Sequence, residues 1–129
     1  MNSPHRLRIR LIRLVFAGAV LFAMVMASLT QPPQIPGQPS DKVQHIIAFA
    51  VLTLLARLAY PATRPWVLFA GLATLGALIE AVQAVPALRR NASLLDWLAD
   101  CGAVAITLAA MALADRITRP VDTAPAEQP

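Results

Sequence analysis

The sequence is short of charge and almost free of cysteine. Only 14% of its 129 residues are Asp, Glu, Lys or Arg, where soluble domains carry about 25%. That deficit points to lipid as the solvent. Cys101 is the single cysteine, which excludes an intrachain disulfide and leaves the redox compartment unread. There is no internal repeat, and no serine or cysteine is paired with a base at a convincing spacing. The net charge is +4, but the basic residues gather at the N-terminus and at the ends of apolar runs. A nucleic-acid footprint needs a continuous basic face, so no nucleic-acid partner is expected.

What is abundant is apolar. Hydrophobic residues make up 57% of the chain, and the mean hydropathy is +0.60. Four apolar stretches, about 11–29, 43–60, 66–85 and 94–114, each approach the ~20 residues a helix needs to cross a bilayer. Prolines punctuate them. Pro32, Pro33, Pro36 and Pro39 follow the first, Pro61 and Pro65 bracket the second connection, Pro86 closes the third, and Pro120 stops the fourth. The expected fold is all-α: a polytopic four-helix transmembrane bundle with short loops. It forms a single domain over 1–117, followed by a disordered Pro/Ala-rich tail over 118–129. Arg6, Arg8, Arg10 and Arg13 before an apolar run also describe a signal peptide. The run is at the long end for one, so an uncleaved helix is expected.

Orientation follows from the positive-inside rule. The N-terminal arginines, Arg57 and Arg64, and Arg116 and Arg119 all belong on the cytoplasmic side of an inner or plasma membrane. Both termini are then cytoplasmic, and segments 31–42 and 86–93 face outward. Arg89 and Arg90 break the rule, which invites an ion-pairing or functional explanation.

Charge inside a span costs about 2.5–3.5 kcal/mol at the centre of a helix and by default marks a functional hypothesis. Asp41, Lys42 and His45 open the second span, Glu80 and Gln83 end the third, and Ser93, Asp96 and Asp100 open the fourth. In an up-down topology all three helix ends share the outer side. At 100° per residue, Asp96, Asp100, Ala103, Thr107, Ala110 and Ala114 form one stripe. Ala73, Gly76, Ala77, Glu80, Gln83 and Ala84 form another, and small residues let transmembrane helices approach closely. Glu80 and Asp100 should lie roughly 7–10 Å inside their helix ends. Ser93 reads as the N-cap of the fourth helix, while Trp66, Tyr60 and Trp97 read as interfacial anchors.

These side chains fit several chemistries. Lys42, Arg89 and Arg90 suit an anionic headgroup. His45 beside Asp41 suits proton transfer near neutral pH. His45 with Glu80, Asp96 and Asp100 is a mixed nitrogen and oxygen set of the sort divalent metals accept. Interhelical ion pairs that only fix the packing account for the same residues. The site is expected without a metal ion and without a cofactor.

The pattern resembles the VanZ-like family of small membrane proteins, named for a teicoplanin-resistance factor. The match begins at Ser28-Leu29 with its proline-rich sequel. It runs through Asp41-Lys42-Val43-Gln44-His45-Ile46-Ile47-Ala48-Phe49 and Glu80-Ala81-Val82-Gln83, then Pro86, Arg90, Ser93 and Asp96. The family's usual form is Asp-Lys-x-x-His, Glu-x-x-Gln, Gly-Arg-x-x-Ser-x-x-Asp and Ala-Asn-x-x-Gly. Arg89 stands at the usual Gly before Arg90, Asp100 at the usual Asn, and Ala103 at the usual Gly. The resemblance covers roughly 28–110 and implies an integral membrane protein. For the named member it implies reduced susceptibility to a glycopeptide antibiotic.

The expected function is a non-enzymatic cell-envelope protein with an outward-facing polar pocket: Asp41, Lys42, His45, Glu80, Gln83, Arg90, Ser93, Asp96 and Asp100. Its expected partners are membrane lipids, a lipid-linked cell-wall precursor or glycopeptide-like ligand, or another membrane protein. The alternatives are a membrane-embedded enzyme acting on a lipid phosphate or cell-wall precursor, and a small scaffold subunit.

Overall fold

In the computed structural model, residues 3–29, 36–37 and 39–118 are described; the tail expected to be disordered lies outside them from residue 119 onward. The described residues form four long helices and no strand: α1 Ser3–Ser28, α2 Asp41–Ala59, α3 Pro65–Gln83 and α4 Leu94–Thr118, with a 3-10 turn at Pro86–Leu88. All four are long and apolar enough to cross a membrane, the pattern of a multi-pass membrane protein. At most 28% of the apolar window of any of them is buried within the protein. The rest of that surface needs an apolar solvent.

Helix ends follow local chemistry. Ser40 caps α2 by accepting a hydrogen bond from the Val43 backbone N–H, and Asp41 in the first turn complements the positive end of the helix dipole. Pro65 starts α3, where its missing N–H removes no helical bond. Ser93 precedes α4 and accepts from the Asp96 N–H at 3.3 Å, as expected of a cap. Four boundaries differ from the apolar runs by two residues or more, the start of α2 at Asp41 instead of 43 being set by the Ser40 cap. α1 begins eight residues earlier than 11, because arginine is a good helix former and polar flanks do not end a helix. α3 stops at Gln83 instead of 85, since Pro86 disfavours helix just before it. α4 runs on to Thr118, past the expected 114 and one residue into the predicted tail.

α2 packs against each of the other three helices, α4 lies on α2 and α3, and α1 lies on α2 and α3. Phe49, Leu52 and Ala56 of α2, Leu68, Leu72 and Ile79 of α3, Ala103 and Val104 of α4, and Ala27 of α1 make the core. The packed faces follow the expected stripes only in part: Asp100 and Ala103 of α4 and Gly76, Glu80 and Gln83 of α3 are buried, and the rest of each stripe is less covered. On α4 the packed face runs through Asp100, Val104 and partly buried Leu108, while Ala110 is exposed, as is Ala114. On α3, Leu72 and Ile79 are buried with Gly76, Glu80 and Gln83, while Ala77 and Ala84 are exposed. Each helix packs on more than one neighbour. Its contact face lies between them, not along the single line of small residues.

Far from the α2 N-terminus, Arg13 donates to the Ala59 carbonyl at 3.1 Å and lies 5.0 Å from the centre of the Tyr60 ring. Phe16 meets that ring edge-on. Tyr60 therefore joins α1 to α2 as well as sitting at a helix end. Arg57 reaches Asp115 at 3.6 Å and the Pro61 carbonyl, so charge at this end is also partly paired.

Candidate functional site

The other end of the bundle gathers the C-termini of α1 and α3 and the N-termini of α2 and α4. Two ion pairs lie at its rim. Arg90 donates to Asp41 at 3.0 Å and to the Met26 carbonyl of α1 at 3.2 Å, and Lys42 lies 3.5 Å from Asp96. Lys42 and Asp41 are about half exposed, whereas Arg90 and Asp96 are largely covered. Arg90 is thus held by a carboxylate and a helix-terminal carbonyl.

One helical turn deeper lie His45, Glu80 and Asp100. His45 Nδ1 is 3.3 Å and 3.4 Å from the two Asp100 oxygens. Glu80 is anchored by the Ser93 backbone N–H, which donates to Oε2 at 2.7 Å. One ligand atom from each of the three residues fits within a 4.8 Å spread. Asp100 is fully buried and Glu80 is 9% exposed, and among the described residues Glu80 Oε1 and Asp100 Oδ1 have no hydrogen-bond partner. Comparisons of the chain with models of known families, with curated proteins and with solved structures match nothing. Geometry and the motifs in the sequence therefore carry the functional reading.

The candidate residues fall into tiers. Asp41, Lys42, Arg90 and Asp96 are joined at the rim, and His45, Glu80 and Asp100 form the inner group. Ser93 links the tiers through its backbone, and Gln83 is buried on α3 one turn past Glu80. Asp41, expected beside His45 as a proton partner, instead pairs with Arg90, and Asp100 takes its place at the imidazole. Glu80 lies only one turn from the end of α3, shallower than expected, because α3 ends early. Arg89 is exposed, with φ +50°. Glycine is the residue that adopts this left-handed backbone most readily.

One contact was not read from the sequence, and one small residue of the expected α3 stripe is where the helices meet. Trp97, expected as an interfacial anchor, has a packing role: its indole N–H donates to the Ala73 carbonyl at 2.9 Å, clasping α4 to α3. The spacing of Ala73 and Trp97 on separate helices offered no signal for it. Gly76 permits the close approach; a Cβ there would lie 3.3 Å from Asp100 Oδ2 and from the Trp97 ring, and 3.4 Å from Phe49. Trp97→Phe keeps most of the packing and removes the donor. It is expected to destabilise the bundle by about 1 kcal/mol, read as a lower unfolding midpoint in mixed detergent micelles. An unchanged midpoint would show that the clasp contributes nothing.

Proposed function

We propose that the protein is a non-enzymatic envelope protein of the VanZ-like type. Its charged end faces outward from the cytoplasmic membrane and binds an amphipathic or lipid-linked molecule. The observation that carries this is the convergence of Asp41, Lys42, His45, Glu80, Arg90, Asp96 and Asp100 at one end of an otherwise apolar bundle. Ion pairs that only held helices together would not need so many groups at one end. The half-exposed Lys42 and Asp41 offer a headgroup both signs of charge, while the apolar helix faces accommodate its chains.

The orientation rests on arginine. Arg6, Arg8, Arg10, Arg13, Arg57, Arg64 and Arg116 lie toward the other end, with Asp115 beside them. The basic Lys42 and Arg90 of the charged end are matched by carboxylates. Positive-inside bias then places both termini in the cytoplasm.

The test is gentle-detergent purification followed by native mass spectrometry of wild type and an E80Q/D96N variant. The introduced glutamine retains a carbonyl acceptor for the Ser93 N–H, so the fold should persist. The expected result is a co-purifying lipid-linked species in wild type and at least a tenfold loss in the variant, at equal membrane abundance. Parallel loss of abundance would reduce the cluster to a structural role. Release of a lipid headgroup by the purified protein would replace binding with catalysis.

A further inference from the structure

The inner tier has a charge problem that the rim does not share. Asp41 has Arg90 and Asp96 has Lys42. Glu80 and Asp100, the two most buried carboxylates of the cluster, have only His45 between them. A protonated imidazole would neutralise one and leave the other as net negative charge in a low-dielectric setting, where an unpaired ion is costly. Glu80 Oε1 also has no hydrogen-bond partner among the described residues, and Asp100 Oδ1 meets only His45 Nδ1, at 3.3 Å and without hydrogen-bond geometry. Buried polar atoms are rarely left so.

We propose that His45, Glu80 and Asp100 bind a divalent transition-metal ion such as Mn2+, Fe2+ or Zn2+. A dication balances two carboxylates and a neutral imidazole. It also takes up Glu80 Oε1 and Asp100 Oδ1. One nitrogen and two oxygen donors favour a transition metal over Ca2+ or Mg2+, which prefer all-oxygen surroundings. Ligand atoms of one ion lie about 3.0–3.5 Å apart when each bond is about 2.1 Å. The 4.8 Å spread therefore closes with small side-chain rotations.

The surroundings suit the role. The Ser93 N–H holds Glu80 Oε2 and leaves Oε1 free, as outer hydrogen bonds orient metal-binding carboxylates. Gly76 keeps the space beside Asp100 clear of a side chain. Three protein donors leave a coordination position for water or for an anionic oxygen. The metal site needs the inner triad alone, so it stands or falls separately from the binding of a lipid-linked molecule.

The experiment uses the full chain in detergent micelles, stripped with chelator and titrated with Mn2+ while the free ion is followed by electron paramagnetic resonance. Wild type is expected to bind one ion per chain. Electron spin-echo modulation should show an imidazole nitrogen coupled to the bound ion, retained in H5Q and lost in H45A; His5 and His45 are the two histidines of the chain. D100N should weaken binding at least tenfold, whereas D96N should stay within twofold. If D100N does not fold, the nitrogen coupling in wild type and H5Q decides the matter. A free Mn2+ signal undiminished by the folded wild-type chain, together with no Zn2+ retained by it after dialysis, would overturn the site. So would equal affinity in H45A, or a protonated-carboxyl infrared band from the buried acids that persists when metal is added. Metal binding by D96N alongside loss of the lipid-linked species would separate this site from the rim.

Discussion

Gly76→Leu is expected to separate α3 from α4 and to cause the largest loss of stability of any single change in the bundle. At this position even a Cβ would lie 3.3 Å from both Asp100 Oδ2 and the Trp97 ring, and 3.4 Å from Phe49. Those neighbours cannot all withdraw. Phe49 is 1% exposed and Asp100 is fully buried, and Trp97 is tied to the Ala73 carbonyl. Overpacking a well-filled core costs about 1–3 kcal/mol, and three further carbon atoms place Leu at the top of that range. Gly76→Ala needs a shift of only a few tenths of an ångström and should lose well under half as much. The check is the unfolding midpoint of both variants, with spin-label distances between α3 and α4. A Leu variant with wild-type midpoint and spacing would mean that the helices do not approach as closely as the structure has them.

Glu80→Ala is expected to have the second-largest effect, and it should differ from Glu80→Gln. The Glu80 carboxylate accepts the Ser93 N–H at 2.7 Å, immediately before α4 begins. The first N–H groups at a helix start have no partner inside the helix, and a buried donor left without an acceptor costs about 1–3 kcal/mol. Alanine removes the acceptor and opens a void beside His45. Glutamine retains an acceptor and removes only the charge. The expected order of stability is wild type, Gln, then Ala, with amide exchange at Ser93 accelerated in the Ala variant alone. Equal stability of Gln and Ala would show that Glu80 acts through its charge and not as the anchor of α4.

The four helices and the end of the bundle that carries the polar residues were legible in the sequence because their signals are local. Apolar length, prolines at 65 and 86, and a capping serine at 93 each act within a turn of the residue concerned. Pairing was legible only in outline. Asp41, His45, Glu80, Asp96 and Asp100 had to converge if three helix ends met, but nothing local distinguishes Arg90 from His45 as the partner of Asp41. That choice depends on the path of the loop from Pro86 to Ser93, which turns through the left-handed Arg89. The packed faces of α3 and α4 were read only in part for a related reason: Gly76, Glu80, Gln83, Asp100 and Ala103 are buried as expected, while Ala77, Ala84, Ala110 and Ala114 are not. Small residues indicate where two helices can approach, whereas Leu72, Ile79 and Val104 are buried because each helix meets two partners at once. Trp97 shows the same limit: an aromatic near a helix start fits an interface and a clasp equally well until its neighbour is known.

Arg90 bridges Met26 on α1 and Asp41 on α2 from a loop that precedes α4, and this has a consequence for biogenesis. While the ribosome is still making α3, the first hairpin already presents Asp41, Lys42 and His45, with Arg90, Asp96 and Asp100 yet to be synthesised. The early hairpin must wait, its polar side chains hydrated at the bilayer surface, until the second hairpin arrives and draws them inward. Membrane integration of this chain is thus completed from its C-terminal half. A nascent fragment released before Asp96 would leave Lys42 and His45 without the carboxylates that face them in the finished bundle.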